Sequence, residues 1–160
     1  MTRRTLLLLP GAALRGAQAE TRLLFGGDVM LCRYIGHIAP FRDLSAFLSA
    51  ADIAFVNLES PFSDQGRRVE TGMVFKAEPA MIEHLKEAGI DIVSTANNHA
   101  RDRGGYGIEF TLKWLAQNGI ASVGTGLSST LAHQGTVLVR NGVRFGFLAS
   151  AQDRNSSGTG

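Results

Sequence analysis

The stretch Asp91-Ile-Val-Ser-Thr-Ala-Asn-Asn-His99 opens as a short β-branched, apolar strand and closes on two carboxamides and an imidazole. Two earlier stretches have the same build. Arg22-Leu-Leu-Phe-Gly-Gly-Asp28 closes on a carboxylate, and Asp52-Ile-Ala-Phe-Val-Asn-Leu-Glu59 closes on a carboxamide and a second carboxylate. Segments with helical spacing separate the three runs. Buried runs that alternate with helices predict an α/β fold with a largely parallel sheet. In such a sheet the residues at the carboxyl ends of the strands converge on one crevice. Two carboxylates, a carboxamide and an imidazole gathered there are the ingredients of a metal-dependent hydrolytic site.

The remaining elements follow from punctuation. Leu44, Phe47 and Leu48 give the segment from Phe41 to Ala50 helical spacing. The loop-like stretch from Ser60 to Phe75 carries Pro61, Gly66 and Gly72. Pro79 to Ala88 reads as a helix with proline in its first turn and Gly89 as its stop, and about Tyr106 to Asn118 as a helix closed by Gly119. Ile120 to Val123 is a fourth strand, and Ser128 to Leu131 a brief helical turn. Strands over His133 to Val139 and Val143 to Ala149 meet at Asn141-Gly142, a strong hairpin signal.

Composition sets the limits. The chain has 160 residues, 44% of them apolar and 19% charged, enough for one globular core. Met1-Thr-Arg-Arg4, an apolar stretch to Leu14 and the small-x-small triplet Ala17-Gln-Ala19 have the layout of a secretory signal peptide over residues 1–19. Export to the periplasm or outside the cell follows, with membrane association left open. The domain proper then occupies 20–151, and the polar, Gly/Ser-rich stretch 152–160 reads as a disordered tail. The formal charge of +2 comes from 16 basic and 14 acidic side chains. Removing Arg3, Arg4 and Arg15 leaves 13 against 14, or −1, so no basic excess supports nucleic-acid binding. Cys32 is the only cysteine, which excludes an internal disulfide and a thiolate zinc site.

Each candidate residue has a plainer alternative. Asp28 is a metal ligand, or a turn residue or helix cap at the glycine pair. Glu59 is a metal ligand or a solvated loop residue. Asn57 holds its loop or points into the site toward substrate. Asn98 offers an amide oxygen to metal, and His99 beside it a proton donor. Asp102 orients His99 through the other ring nitrogen or caps the next helix. Arg101 and Arg103 meet an anionic substrate or are ordinary exposed arginines, and Lys76 either faces the crevice or lies at the surface. His37, His84 and His133 carry little signal.

Three segments resemble the bacterial CapA-type capsule-synthesis proteins associated with poly-γ-glutamate: Phe25-Gly-Gly-Asp-Val-Met30, Val56-Asn-Leu-Glu-Ser-Pro61, and Ala96-Asn-Asn-His-Ala-Arg-Asp102 with Gly104. Phe75-Lys76 and the stretch from Gly119 to Gly126 are also similar to that family. The resemblance runs from about Leu23 to Ala149. It implies a partial metallophosphoesterase-like α/β sandwich with a two-metal site. Asp28 would be a ligand of the first metal, Glu59 a bridging carboxylate, Asn98 a ligand of the second metal, and His99 the proton donor to the leaving group. Mn, Fe, Zn and Mg all suit such mixed ligands. Family members run beyond this length and carry further histidines, so the resemblance also implies an N-terminal fragment holding half of the site. The function implied is metal-dependent hydrolysis or transfer on an anionic surface polymer or its precursor. The alternatives are a non-catalytic polymer-binding or export assembly factor working with membrane-embedded synthase subunits, and an inactive fragment.

Overall fold

The computed structural model describes residues 20–32, 38–65 and 73–152. The leader expected over 1–19, His37 and residues 153–160 of the expected tail lie outside these. Element order is β1 (Leu23–Val29), α1 (Ser45–Ser49), β2 (Ile53–Leu58), a 3-10 turn (Pro79–Met81) leading into α2 (Ile82–Glu87), β3 (Ile92–Ser94), α3 (Gly104–Gln117), β4 (Ala121–Val123), α4 (Ser129–Ala132), β5 (Thr136–Arg140) and β6 (Val143–Phe147). Strands β1 to β4 form one parallel sheet in that order, and β5 pairs antiparallel with β6 in a second sheet. The expected α/β class, parallel sheet and terminal hairpin are all present.

The two-residue period of the strands sorts the core into two layers. Ala54, Val56 and Leu58 of β2 and Val93 of β3 point one way, against Ile82, Leu85 and Ala88 around α2 and Leu115 of α3. Ile53 and Phe55 of β2, Ile92 of β3 and Val123 of β4 point the other way, against Leu138, Phe145 and Phe147 of the hairpin. Phe55 stacks on Phe147 with ring centroids 5.8 Å apart. Helices therefore cover one face of the parallel sheet, and the hairpin covers the other.

Three local expectations change. Gly26-Gly27 does not open a turn. It lies inside β1, where the register with β2 slips between Phe25 and Asp28, so an irregularity of bulge type carries the strand on to Val29. The segment from Phe41 is mostly turn, and only Ser45–Ser49 is α-helical. Of its spaced apolar residues Leu48 alone is buried, with Leu44 and Phe47 exposed, so little tertiary packing supports a longer helix. His133 closes α4 rather than starting a strand, its Nδ1 lying 2.7 Å from the Ser129 carbonyl.

The hairpin turn is tied to the amino end of the parallel sheet. Arg140 Nη2 donates to Asp91 Oδ1 at 2.8 Å and its Nε to the Asp52 carbonyl at 3.1 Å. The Asp52 carboxylate accepts from the Arg22 N–H at 2.7 Å and from the Asn141 amide at 3.1 Å. These two donors, the Arg22 backbone first, hold the Asp52 carboxyl below its ordinary value of 3.8. A depressed folded-state pKa adds stability that is present above the unfolded value and is lost as pH falls through the folded one. Asp52→Asn is therefore expected to destabilise at pH 7. That deficit should shrink in urea titrations as pH drops below about 4. A deficit unchanged between pH 7 and pH 3 would mean that the charge contributes nothing.

Candidate functional site

At the carboxyl end of the sheet, Asp28, Asn57 and Ser94 stand in one row, paired Asp28 to Asn57 and Asn57 to Ser94. By strand parity, Asn57 and Ser94 share the face that carries Ile53, Phe55 and Ile92. Asp28 and Asn57 thus stand one residue before the ends of their strands, not in the loops beyond them. Asn57 Nδ2 donates to Asp28 Oδ1 at 2.8 Å. Asn97 Nδ2 donates both to Asn57 Oδ1 at 3.2 Å and to the Leu58 carbonyl at 2.9 Å. Its own Oδ1 accepts the His99 N–H at 3.0 Å. An unbroken hydrogen-bonded run therefore joins β1, β2 and the loop after β3.

His99 is fixed from three sides. Its Nδ1 lies 2.9 Å from Asp102 Oδ2, its ring packs on Phe75 with centroids 4.1 Å apart, and its Nε2 lies 3.9 Å from Glu59 Oε1. Asp102 is buried, at 2% exposure. Its Oδ2 also accepts the Phe75 N–H at 2.6 Å. Helix α3 starts without a side-chain cap, so of its two readings Asp102 takes the one in which it holds His99. An ionised carboxylate facing Nδ1 favours the Nδ1–H tautomer and leaves Nε2, toward Glu59, to exchange a proton.

Other candidates fall outside this run. Asn98 is exposed and lines a pocket with Arg101, on the side toward β4 and α4. Lys76 Nζ is paired with Glu78 at 2.6 Å, and His84 lies near Glu87 at 3.8 Å. Asn57 spends both ends of its amide inside the protein, on Asp28 and Asn97, so it holds the row together and is not a free substrate contact. Asn97 was not singled out by the sequence argument, yet it is the hub of the network. Two adjacent asparagines give no signal as to which one turns inward. Phe75 was likewise unassigned, and only its place beside Lys76 in the resembling segment pointed to it.

The donor chemistry fits a hard or borderline divalent cation, because carboxylates and an amide oxygen are its usual partners. Donor number falls short. Among the described residues no three His, Cys, Asp or Glu side chains group in a way that could hold a metal ion.

A parallel sheet clothed by helices on one face and a β-layer on the other, with Asp28, Glu59 and His99 gathered at its carboxyl end, defines a metallophosphoesterase-like α/β protein. Residues 22–159 match the model of the bacterial capsule synthesis protein family PGA_cap, and the chain belongs to that family. A relative in Sinorhizobium fredii, the uncharacterized protein y4sH, is 30% identical over 133 residues, covering 78% of this chain and 29% of its own length. The capsule biosynthesis protein CapA of Bacillus anthracis is 27% identical over 111 residues, covering 62% of this chain and 27% of its own. The PGA biosynthesis protein CapA of Bacillus subtilis is 26% identical over 113 residues, covering 65% and 30%. The chain spans less than a third of the length of these curated relatives.

Proposed function

We propose that this chain serves the synthesis of an anionic capsule polymer of the poly-γ-glutamate kind, outside the cytoplasm, through metal-assisted hydrolysis or group transfer at the His99 site. The observation that carries the reading is the hydrogen-bonded run from Asp28 through Asn57 and Asn97 to His99 and Asp102, with Glu59 facing His99 Nε2. The family's place in bacterial capsule synthesis supports the polymer, and the leader-like sequence of residues 1–19 supports export. No helix among the described residues is long and apolar enough to cross a membrane.

In this reading Asp28 and Glu59 would hold the cation, and the remaining ligands would come from polypeptide outside the described residues. Two ions of Mn, Fe, Zn or Mg would suit the complete site. A bound divalent ion supplies charge neutralisation and Lewis-acid polarisation. The chain's own residues do the rest. Asn57 holds Asp28 by one carboxylate oxygen and leaves Oδ2 for the ion. Asn97 ties the β2 and β3 ends together so that Glu59 and His99 stay opposed. Asp102 keeps the Nδ1 proton in place, and Phe75 shields one face of the imidazole. With Nδ1–H fixed on Asp102, His99 Nε2 is the atom that takes up a proton and, from the imidazolium so formed, passes it to a leaving group, returning to the Nδ1–H form.

The test uses the intact cellular protein. Asp28→Asn and Glu59→Gln are expected to lose divalent metal measured by elemental analysis. His99→Ala is expected to keep the metal and lose polymer-directed activity by about 10²–10⁴-fold. Full metal content in both carboxylate variants would overturn the reading. Normal capsule output from all three variants would leave the alternative in which the protein acts by binding polymer or synthase subunits, without chemistry.

A further inference from the structure

Beside the hydrogen-bonded run lies a pocket of about 220 Å³, with Asn97 the one member of the run on its wall. Asn97, Asn98, Arg101 and Thr125 supply its polar lining, and Ile108 of α3 and Ala132 of α4 are among its aliphatic residues. It is built by the fold and does not depend on a single loop. Thr95 Oγ1 and Thr125 Oγ1 lie 2.7 Å apart and lock the ends of β3 and β4 together. The Thr95 N–H and the Val123 carbonyl add a backbone bond of 2.9 Å at the same place. Asn97, Asn98 and Ala100, from the loop that carries His99, line the pocket, so whatever fills it rests on that loop.

The lining has a definite chemistry. Among the described residues Arg101 is the only charged side chain lining the pocket, and it is exposed. Among the described residues it makes no ion pair, whereas Arg140 and Lys76 are both paired. Opposite it the walls are aliphatic and small. A planar cation facing a short aliphatic slot suits a carboxylate carried on a two- or three-carbon stem. A bare inorganic anion would leave the aliphatic walls unused, and an aromatic ligand would find no ring to stack on.

We propose that this pocket is a subsite for a carboxylate-bearing side group of the substrate, with Arg101 as its specificity-determining cation. Asn97, which lines the pocket and belongs to the hydrogen-bonded run, is the wall shared by the subsite and the site. The subsite deepens the proposed function and rests on it for its part in turnover: a chain element whose carboxylate is held by Arg101 presents its neighbouring bond to His99.

Binding can be read without turnover. In the intact protein labelled with ¹⁵N and kept in chelator, glutarate is expected to shift the amides of Asn98, Arg101, Gly124 and Gly126 saturably. Glutaramide, its uncharged isostere, should bind about tenfold more weakly, the loss expected when a charge-assisted contact becomes a neutral one. Arg101→Gln should bring glutarate down to the glutaramide level, while Arg101→Lys should recover part of the preference. Equal binding of the two probes, shifts confined to other parts of the protein, no saturable shift, or an unaltered Arg101→Gln variant would each overturn the subsite. Inorganic phosphate that displaces glutarate at lower concentration would overturn the carboxylate assignment. Because chelator is present, the outcome is independent of the metal. A failed titration with metal content intact removes the subsite alone. A normal titration with metal retained in Asp28→Asn and Glu59→Gln removes the metal reading alone.

Discussion

Asp102→Ala is expected to lower the free energy of unfolding by about 2–3 kcal/mol and, in the same step, to unlock the imidazole of His99. One buried carboxylate oxygen receives two N–H groups, from Phe75 at 2.6 Å and from His99 Nδ1 at 2.9 Å. Alanine removes the acceptor both of them use, at a position with 2% exposure where water does not readily replace it. Losing an acceptor from buried donors costs more than the bond itself contributes, because the donors stay desolvated. Asp102→Asn separates geometry from charge. Its amide oxygen can take the place of Oδ2 and accept both donors, but without the negative charge, so a smaller loss is expected. Chemical denaturation measures the stability, and the ¹⁵N shifts of the His99 ring measure the tautomer. The wild type should show one dominant Nδ1–H form, and Asp102→Ala a mixture. A stability loss under about 0.5 kcal/mol, the range of ordinary surface changes, would show that Asp102 is not a structural anchor.

That pair of roles was only half legible in the sequence. Asp102 sits three residues after His99 and two before a helix, so holding the imidazole and capping the helix were equally open. The helix settles it by starting at Gly104 with no side-chain cap. The central strands were readable because β2 and β3 are buried on both faces and appear as apolar runs, whereas β1 is an edge strand with Phe25 exposed. The hairpin was readable because Asn141, with φ of 51°, and Gly142, with φ of 78°, take the left-handed conformations their identities advertise. What the sequence hid are effects of register and of packing between distant segments. The irregularity at Gly26-Gly27 depends on how β1 lies against β2, and a glycine pair looks the same in a turn. The short α1 reflects the exposure of Leu44 and Phe47, which periodicity alone would have buried. At the site, the types Asp, Glu, Asn and His pointed to the right edge of the sheet. Their division of labour came from three dimensions: Asn57 and Asn97 are spent on hydrogen bonds, while Asn98 and Arg101 face a separate pocket.

Gly124 tests whether the loop after β4 sets the shape of that edge. Its φ is +102°, and a Cβ there would lie 2.5 Å from the Ala96 Cβ and 3.0 Å from the Ala149 Cβ. Neither neighbour is the movable end of a long side chain. Ala96 begins the loop that carries Asn97 to His99, and Ala149 follows β6 on the hairpin face. Gly119, at the end of α3, also has a positive φ, +75°, but nothing lies within 4 Å of its Cβ position. The two glycines therefore separate backbone strain from collision. Gly119→Ala is expected to cost about 1 kcal/mol, the penalty of a left-handed conformation alone. Gly124→Ala adds an overpacking cost that brings the loss to about 3 kcal/mol. The collision also has a direction. Relief requires Ala96 to move, and Ala96 is joined through Asn97 to Asn57, Leu58 and the His99 N–H. Gly124→Ala should therefore shift the His99 ring resonances and weaken glutarate binding at Arg101, while Gly119→Ala does neither. Equal stability losses in the two variants would refute the collision. An undisturbed His99 signal in a folded Gly124→Ala protein would mean that the β4 loop and the imidazole are mechanically independent.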